Sequence, residues 1–236
     1  MTTEEATYLR LAQRWKALRS THDVRVHEVA CVGAPRTLLC VEYGDPARPA
    51  VLLAAGVHGD EPAGPHTLLG LVQDNALDPR FMYRIWPCTN PTGFDARTRE
   101  SVDGVDINRT FGRGGGSPEA RAIVTANRDH KFVLAIDLHE DDEASGFYCY
   151  EYGEPGIGAR ALDAVRKLGV PCDPRELLRP NPQAEAEEIG GLSLSLLLCR
   201  NAATRALTFE TASTRAFSER VATLAEATRA AILSLT

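Results

Sequence analysis

Apolar side chains recur at helical spacing near the start of the chain (Tyr8, Leu9, Ala12, Trp15, Leu18), which predicts a leading helix over about residues 3–20. The period then changes. Asp23–Cys31 and Thr37–Tyr43 read as two strands turned by Gly33-Ala34-Pro35. Val51–Val57 is uninterrupted apolar sequence, the mark of a strand buried on both faces of a parallel or mixed sheet, and Pro62–Asp74 reads as the helix after it. Phe81–Pro87 is the next strand. From Cys88 to Ser117 the chain is long and full of turn formers, and loops of that length in compact domains are usually functional. Ser117-Pro118-Glu119 supplies a cap, a first-position proline and a first-turn acid, predicting a helix to about His130. Phe132–Leu138 is a second buried strand, ending at His139. A strand at Phe147–Tyr152, a helix at Ile157–Leu168, a short strand at Ala206–Phe209 and a closing helix at Phe217–Leu233 complete the pattern. Between them Arg179–Glu188, proline-rich and then acidic, reads as a lid or surface loop.

With no internal repeat, low-complexity tract or linker, the expected organisation is one α/β domain over residues 1–236. At 236 residues and 44% hydrophobic content the chain can bury a sizeable core. A formal charge of −6 with no dense basic run argues against a phosphate-tracking nucleic-acid surface. No segment approaches the length of a membrane span, and the N-terminus lacks the basic and apolar regions of a signal peptide. The expectation is a cytoplasmic protein with a small-molecule or peptide partner. Cys31, Cys40, Cys88, Cys149, Cys172 and Cys199 are scattered singly and read as buried or incidental thiols.

The buried strands share a feature at their C-terminal ends. Val51–Val57 is followed by His58 and Glu61, Phe132–Leu138 by His139, and Ala206–Phe209 by Glu210. In open α/β sheets that edge is where ligands bind, so residues far apart in sequence can converge there. Two histidines and a glutamate are an established catalytic zinc set that leaves a position for water. Glu210, on a third strand, is then free to act as a base. A lone His-x-x-Glu is more often a hydrogen-bonded turn histidine beside a solvated acid; three matching strand ends reverse that weighting. The stretch NPTGFDARTRESVDGVDINRTFG, Asn90–Gly112, adds Arg99, Asn108 and Arg109 on the same edge, with guanidinium forks suited to a carboxylate or a developing oxyanion. Arg97 and Arg113 read as surface residues.

In order, HGDE, NPTGF…TRE…GVDINRTF, DLH and FET resemble the signature of the zinc carboxypeptidase and succinylglutamate desuccinylase/aspartoacylase superfamily, across about Val51–Thr211. The resemblance implies an α/β/α sandwich around a mixed, roughly eight-stranded sheet. It implies one Zn2+ per chain held by His58, Glu61 and His139, with Glu210 as general base and later acid. Arg99 would stabilise the oxyanion, and Asn108 and Arg109 would clamp the free carboxylate of the substrate. The peptidase branch usually carries a tyrosine some twenty residues before its catalytic glutamate; here that region, GGLSLSLLLCRNAATR, has none, and Tyr148, Tyr150 and Tyr152 do not match it by position. The spacing of RTRESVDGVDINR nevertheless resembles the peptidase branch more than the deacylase branch.

The reading that follows is a metallocarboxypeptidase acting on small peptides. An N-acyl amino acid deacylase is the first alternative, and a non-catalytic zinc- or ligand-binding homologue the second. Other chemistries lack their residues: there is no GxSxG elbow, and GRGGG at Gly112–Gly116 lacks the GK[ST] ending of a phosphate loop. The acidic run Glu140–Glu143 reads as a solvated loop or a wall favouring basic substrates, less readily as a second ion site. His22, His27, His66 and His130 carry no partner pattern.

Overall fold

The computed structural model describes residues 7–112, 116–188 and 190–235. The leading helix α1 (Tyr8–Ala17) is capped by the Thr7 side chain and runs into a 3-10 turn at Leu18–Ser20. Strands β1 (Val24–Val29), β2 (Leu38–Tyr43) and β3 (Ala50–Ala55) follow, then α2 (Ala63–Gln73) and β4 (Met82–Trp86). The stretch read as one long loop contains a short helix, α3 (Pro91–Ala96), and a 3-10 turn at Ile107–Arg109. Next come α4 (Pro118–Asn127), β5 (Leu134–Asp141), β6 (Phe147–Gly153) and α5 (Ile157–Lys167). The chain closes with β7 (Cys172–Leu178), α6 (Pro182–Glu188), α7 (Leu194–Asn201), β8 (Arg205–Ala212) and α8 (Phe217–Leu233).

One eight-stranded mixed sheet takes the order β1-β2-β4-β3-β5-β8-β6-β7. The centre, β4-β3-β5-β8, is parallel; β2 and β6 join it antiparallel on either side. From β3 the chain goes to β4 on one side, and β5 lies on the other. The gap beyond the C-terminal end of β3 is thus a topological switch point, where such sheets bind ligands.

Period-two alternation splits the core into two layers. Leu53, Ile136, Leu138, Leu207 and Phe209 face one layer with α1, α2, α5 and α8; Leu52, Ala54, Ala135 and Ala206 face the other with α4 and α7. All of these strand residues are essentially inaccessible, and burying a leucine or phenylalanine stabilises by roughly 1.5–3 kcal/mol. The expected sandwich is therefore observed. All six cysteines are unpaired, four of them buried.

Candidate metal centre and cleft

The strand-end residues meet, although two of them lie within strands rather than beyond them. His139 sits in β5 and Glu210 in β8, both strands running two or more residues further than their apolar runs, and the pair is directly opposed in register. Parity places both on the α4/α7 side of the sheet. His58 and Glu61 come from the turn after β3. That turn needs glycine at Gly56, whose φ is +64°, and at Gly59, where a Cβ would fall 1.9 Å from the backbone of Gly93.

His58, Glu61 and His139 are all buried, and one ligand atom from each lies within 4.8 Å of the others. The Glu61 carboxylate faces both rings, with Oε1 2.6 Å from His58 Nδ1 and Oε2 3.0 Å from His139 Nδ1. Each ring turns its other nitrogen to a second carboxylate: His58 Nε2 lies 3.4 Å from Asp106 and His139 Nε2 3.1 Å from Asp137. These Nε2 contacts are ion-pair distances without hydrogen-bond geometry, and Glu61 Oε2 likewise lacks a hydrogen-bonding partner despite being inaccessible. A carboxylate behind each imidazole is the usual way to orient a metal-binding histidine. The donor set therefore fits a divalent cation.

The buried charges shift one another. Burial alone would raise the Glu61 pKa, but the two imidazoles outweigh it and hold the carboxyl low. Burial would lower His139, yet Asp137 and Glu61 lift it well above its ordinary value, and Glu61 with Asp106 lifts His58 in the same way. Glu210 goes the other way: burial, reinforced by Glu61, raises it despite the imidazoles nearby.

A cleft of about 600 Å³ opens over these groups and is lined by Arg99, Asn108 and Arg109 as well as Glu210. Arg99 pairs with Asp106 at 3.0 Å and approaches His58 Nδ1 at 3.4 Å. Against the cost of its own burial, Asp106 is held well below the usual carboxylate range by His58, Arg99 and Arg109. Asn108 commits its amide oxygen to structure, Oδ1 accepting from Leu194 N at the start of α7 (3.0 Å). Arg109 lines the cleft with its Nη1 donating to Asn108 O (3.4 Å).

Three further features escaped the sequence reading. Tyr148, Tyr150 and Tyr152 alternate along β6 and all line the cleft, with Tyr148 opposite Glu210. Their position was set by strand pairing, which no local spacing reveals. The segment expected as a lid or surface loop is in part helix α6, and Glu185 on it accepts from the Tyr152 hydroxyl at 2.9 Å. The acidic run is not a solvated loop at its start: Glu140 is buried against Arg220, and Asp141 accepts from Tyr148 (2.8 Å) and pairs with Arg175 (3.0 Å).

Comparison with known proteins gives the site a setting. The family profile described as "Succinylglutamate desuccinylase/Aspartoacylase catalytic domain" matches residues 47–236. The chain is similar to Carboxypeptidase SOL1 of Arabidopsis thaliana, 35% identical over 113 residues, which make up 39% of this chain and 23% of that protein. It thus spans under a quarter of that curated relative. Among solved structures, a protein of Shewanella amazonensis SB2B named as a candidate metallopeptidase superposes with a TM-score of 0.77 at 21% identity, covering 96% of this chain and 92% of that one. Carboxypeptidase A of Helicoverpa armigera gives a TM-score of 0.70 at 18% identity, covering 100% and 76%. At these identities the structural likeness speaks for the fold.

Proposed function

The chain belongs to the succinylglutamate desuccinylase/aspartoacylase catalytic-domain family, and from that premise we propose that it is a zinc-dependent hydrolase of amide bonds next to a free carboxylate, working as a metallocarboxypeptidase on small peptides. The observation that carries this is the convergence of His58, Glu61 and His139 in a cleft that also presents Glu210, Arg99 and Arg109.

His58, Glu61 and His139 would hold the zinc, with Asp106 and Asp137 fixing the two rings from behind. When bound, zinc supplies the Lewis acidity that polarises a carbonyl and makes water nucleophilic near neutral pH. Glu210 takes the proton of the attacking water and returns it to the leaving amine. Arg99, oriented by Asp106, stands beside the metal ligands and stabilises the oxygen that gains charge. Arg109 receives the free carboxylate. Asn108 contributes to that clamp through its amide nitrogen, because its oxygen is already taken by Leu194 N.

The walls favour a peptide over a succinyl-type acyl group. A second carboxylate on the acyl side would need another cation, but among the described residues Arg99 and Arg109 are the arginines lining the cleft and Arg99 is paired; the remaining described walls carry Asp141, Asp142, Glu185 and Glu188 beside the three tyrosines. The family match supports the second reading, an N-acyl amino acid deacylase. Product analysis by mass spectrometry separates them: the zinc-loaded protein, given free-carboxylate peptides and N-acyl amino acids together, should shorten the peptides from their C-terminal end. Release of small acyl acids with the peptides intact would establish the deacylase, and no turnover of either class would overturn the hydrolase reading.

A further inference from the structure

Helix α2 begins two residues after Glu61, and its N-terminal position is occupied by Pro62, which offers no side-chain cap. The orphaned donors of such a helix end must be satisfied from elsewhere. Glu140 does so from another element: its Oε1 accepts from Ala63 N at 2.6 Å. Glu140 follows His139 in β5 and therefore points to the opposite face of the sheet, toward α2 and α8. Its side chain is wholly inaccessible, and its other oxygen pairs with Arg220 of α8. The helix end also rests directly on the strands. A Cβ on Gly64 would lie 3.0 Å from Leu138 O and from Ala55 Cβ.

Two neighbours in sequence thus hold the two sides of one turn. We propose that Glu140 is a positioning residue for the metal centre, clamping the N-terminus of α2 to β5 so that the His58–Glu61 turn is held at a fixed distance from His139, with Arg220 of α8 holding its second carboxylate oxygen. This rests on the metal-centre reading above. It assigns a function to a residue whose side chain is buried on the far side of the sheet from the metal centre, and it makes the C-terminal helix α8 part of the support of the site.

Removing Glu140 alone would leave Arg220, whose side chain is only 15% exposed, without its partner, so the test uses matched double variants that both remove the ion pair. In Glu140→Gln/Arg220→Met the amide oxygen can still accept from Ala63 N; in Glu140→Leu/Arg220→Met it cannot. Zinc affinity is measured by competition with a chromophoric chelator, and the melting temperature of each metal-free protein is recorded beside it. The glutamine variant should bind zinc within about threefold of the parent and the leucine variant about 10- to 100-fold more weakly, the range for lost support around metal ligands. Equal affinity of both doubles, or a loss that follows melting temperature alone, would overturn the positioning role. If the parent itself binds no zinc, and His139→Ala changes nothing, the metal-centre reading fails and this inference fails with it.

Discussion

Arg99 and Arg109 differ in what holds them, and their variants should differ in kind. Arg99 is fixed by Asp106 next to His58, so Arg99→Ala should lower kcat about 100- to 1,000-fold, the usual cost of an oxyanion donor, with zinc content unchanged. Near-normal turnover would remove it from that role. Arg109→Ala should instead raise KM with kcat little altered, because a carboxylate clamp acts alike in ground and transition states. His66 offers a test of pH dependence away from the cleft. Burial, helped by Arg14, holds its imidazole down at about 4, against about 6.5 in an unfolded chain. The unfolded state therefore binds a proton first as pH falls, so the stability this group contributes is present above about 6.5 and is lost between there and about 4. Comparing unfolding free energies of the parent and His66→Gln at pH 7 and 4.5 should show the parent losing on the order of 2 kcal/mol more. Parallel pH profiles would mean that its ring, edge-on to Phe217 and tilted over Phe94, titrates freely in the fold.

At the scale of elements, the turn after β3 is the most constrained. Gly59 approaches the backbone of α3 so closely that even a methyl group must push the two apart, and its N–H donates to Thr98 O at 2.9 Å. Gly59→Ala should therefore cost zinc affinity and melting temperature together, measured by metal analysis and thermal unfolding, whereas Gly104→Ala, with open space around its Cβ but a φ of +68°, should affect neither the metal nor the site. What the sequence revealed at this scale follows its local signals. The apolar runs of β3 and β5 and the cap of α4 were readable because each depends on its own residues. Asn90-Pro91 carries the same cap-and-proline grammar as Ser117-Pro118, with Asn90 accepting from Gly93 N, but α3 is a short helix inside a turn-rich stretch and its signal was lost there. Strand β7 contains Pro174, which argues against a strand except where it stands, at the sheet's edge. The ends of β5 and β8 were set short because His139 and Glu210 break the apolar run; the sheet keeps them by pairing, not by hydrophobicity. The convergence of His58, Glu61, His139 and Glu210 on one cleft was legible for the same reason, as polar groups at the end of apolar strands. Glu140 and the tyrosines were not, since their positions come from long-range pairing.

For the molecule as a whole, a metal held by His58, Glu61 and His139 would couple to the fold, because its ligands come from β5 and the turn after β3. A ligand that binds only the native state stabilises it by about 2.7 kcal/mol at a hundredfold excess over its Kd. Stripping the protein with a chelator should therefore lower the melting temperature and zinc should restore it, while His139→Ala should be indifferent to both treatments. The direct pairing of His139 with Glu210 carries a further consequence, in time rather than space. His58, His139 and Glu210 lie far apart along the chain and come together only when β3, β5 and β8 have aligned in parallel, a non-local arrangement of the kind that forms slowly. A slip of one residue between β5 and β8 would send one member of the pair to the opposite face. Ion capture during refolding is then a clock for correct register: a zinc-sensitive dye should report uptake only after far-ultraviolet ellipticity has recovered, and chains trapped out of register should be recognisable as a folded fraction that never takes up metal.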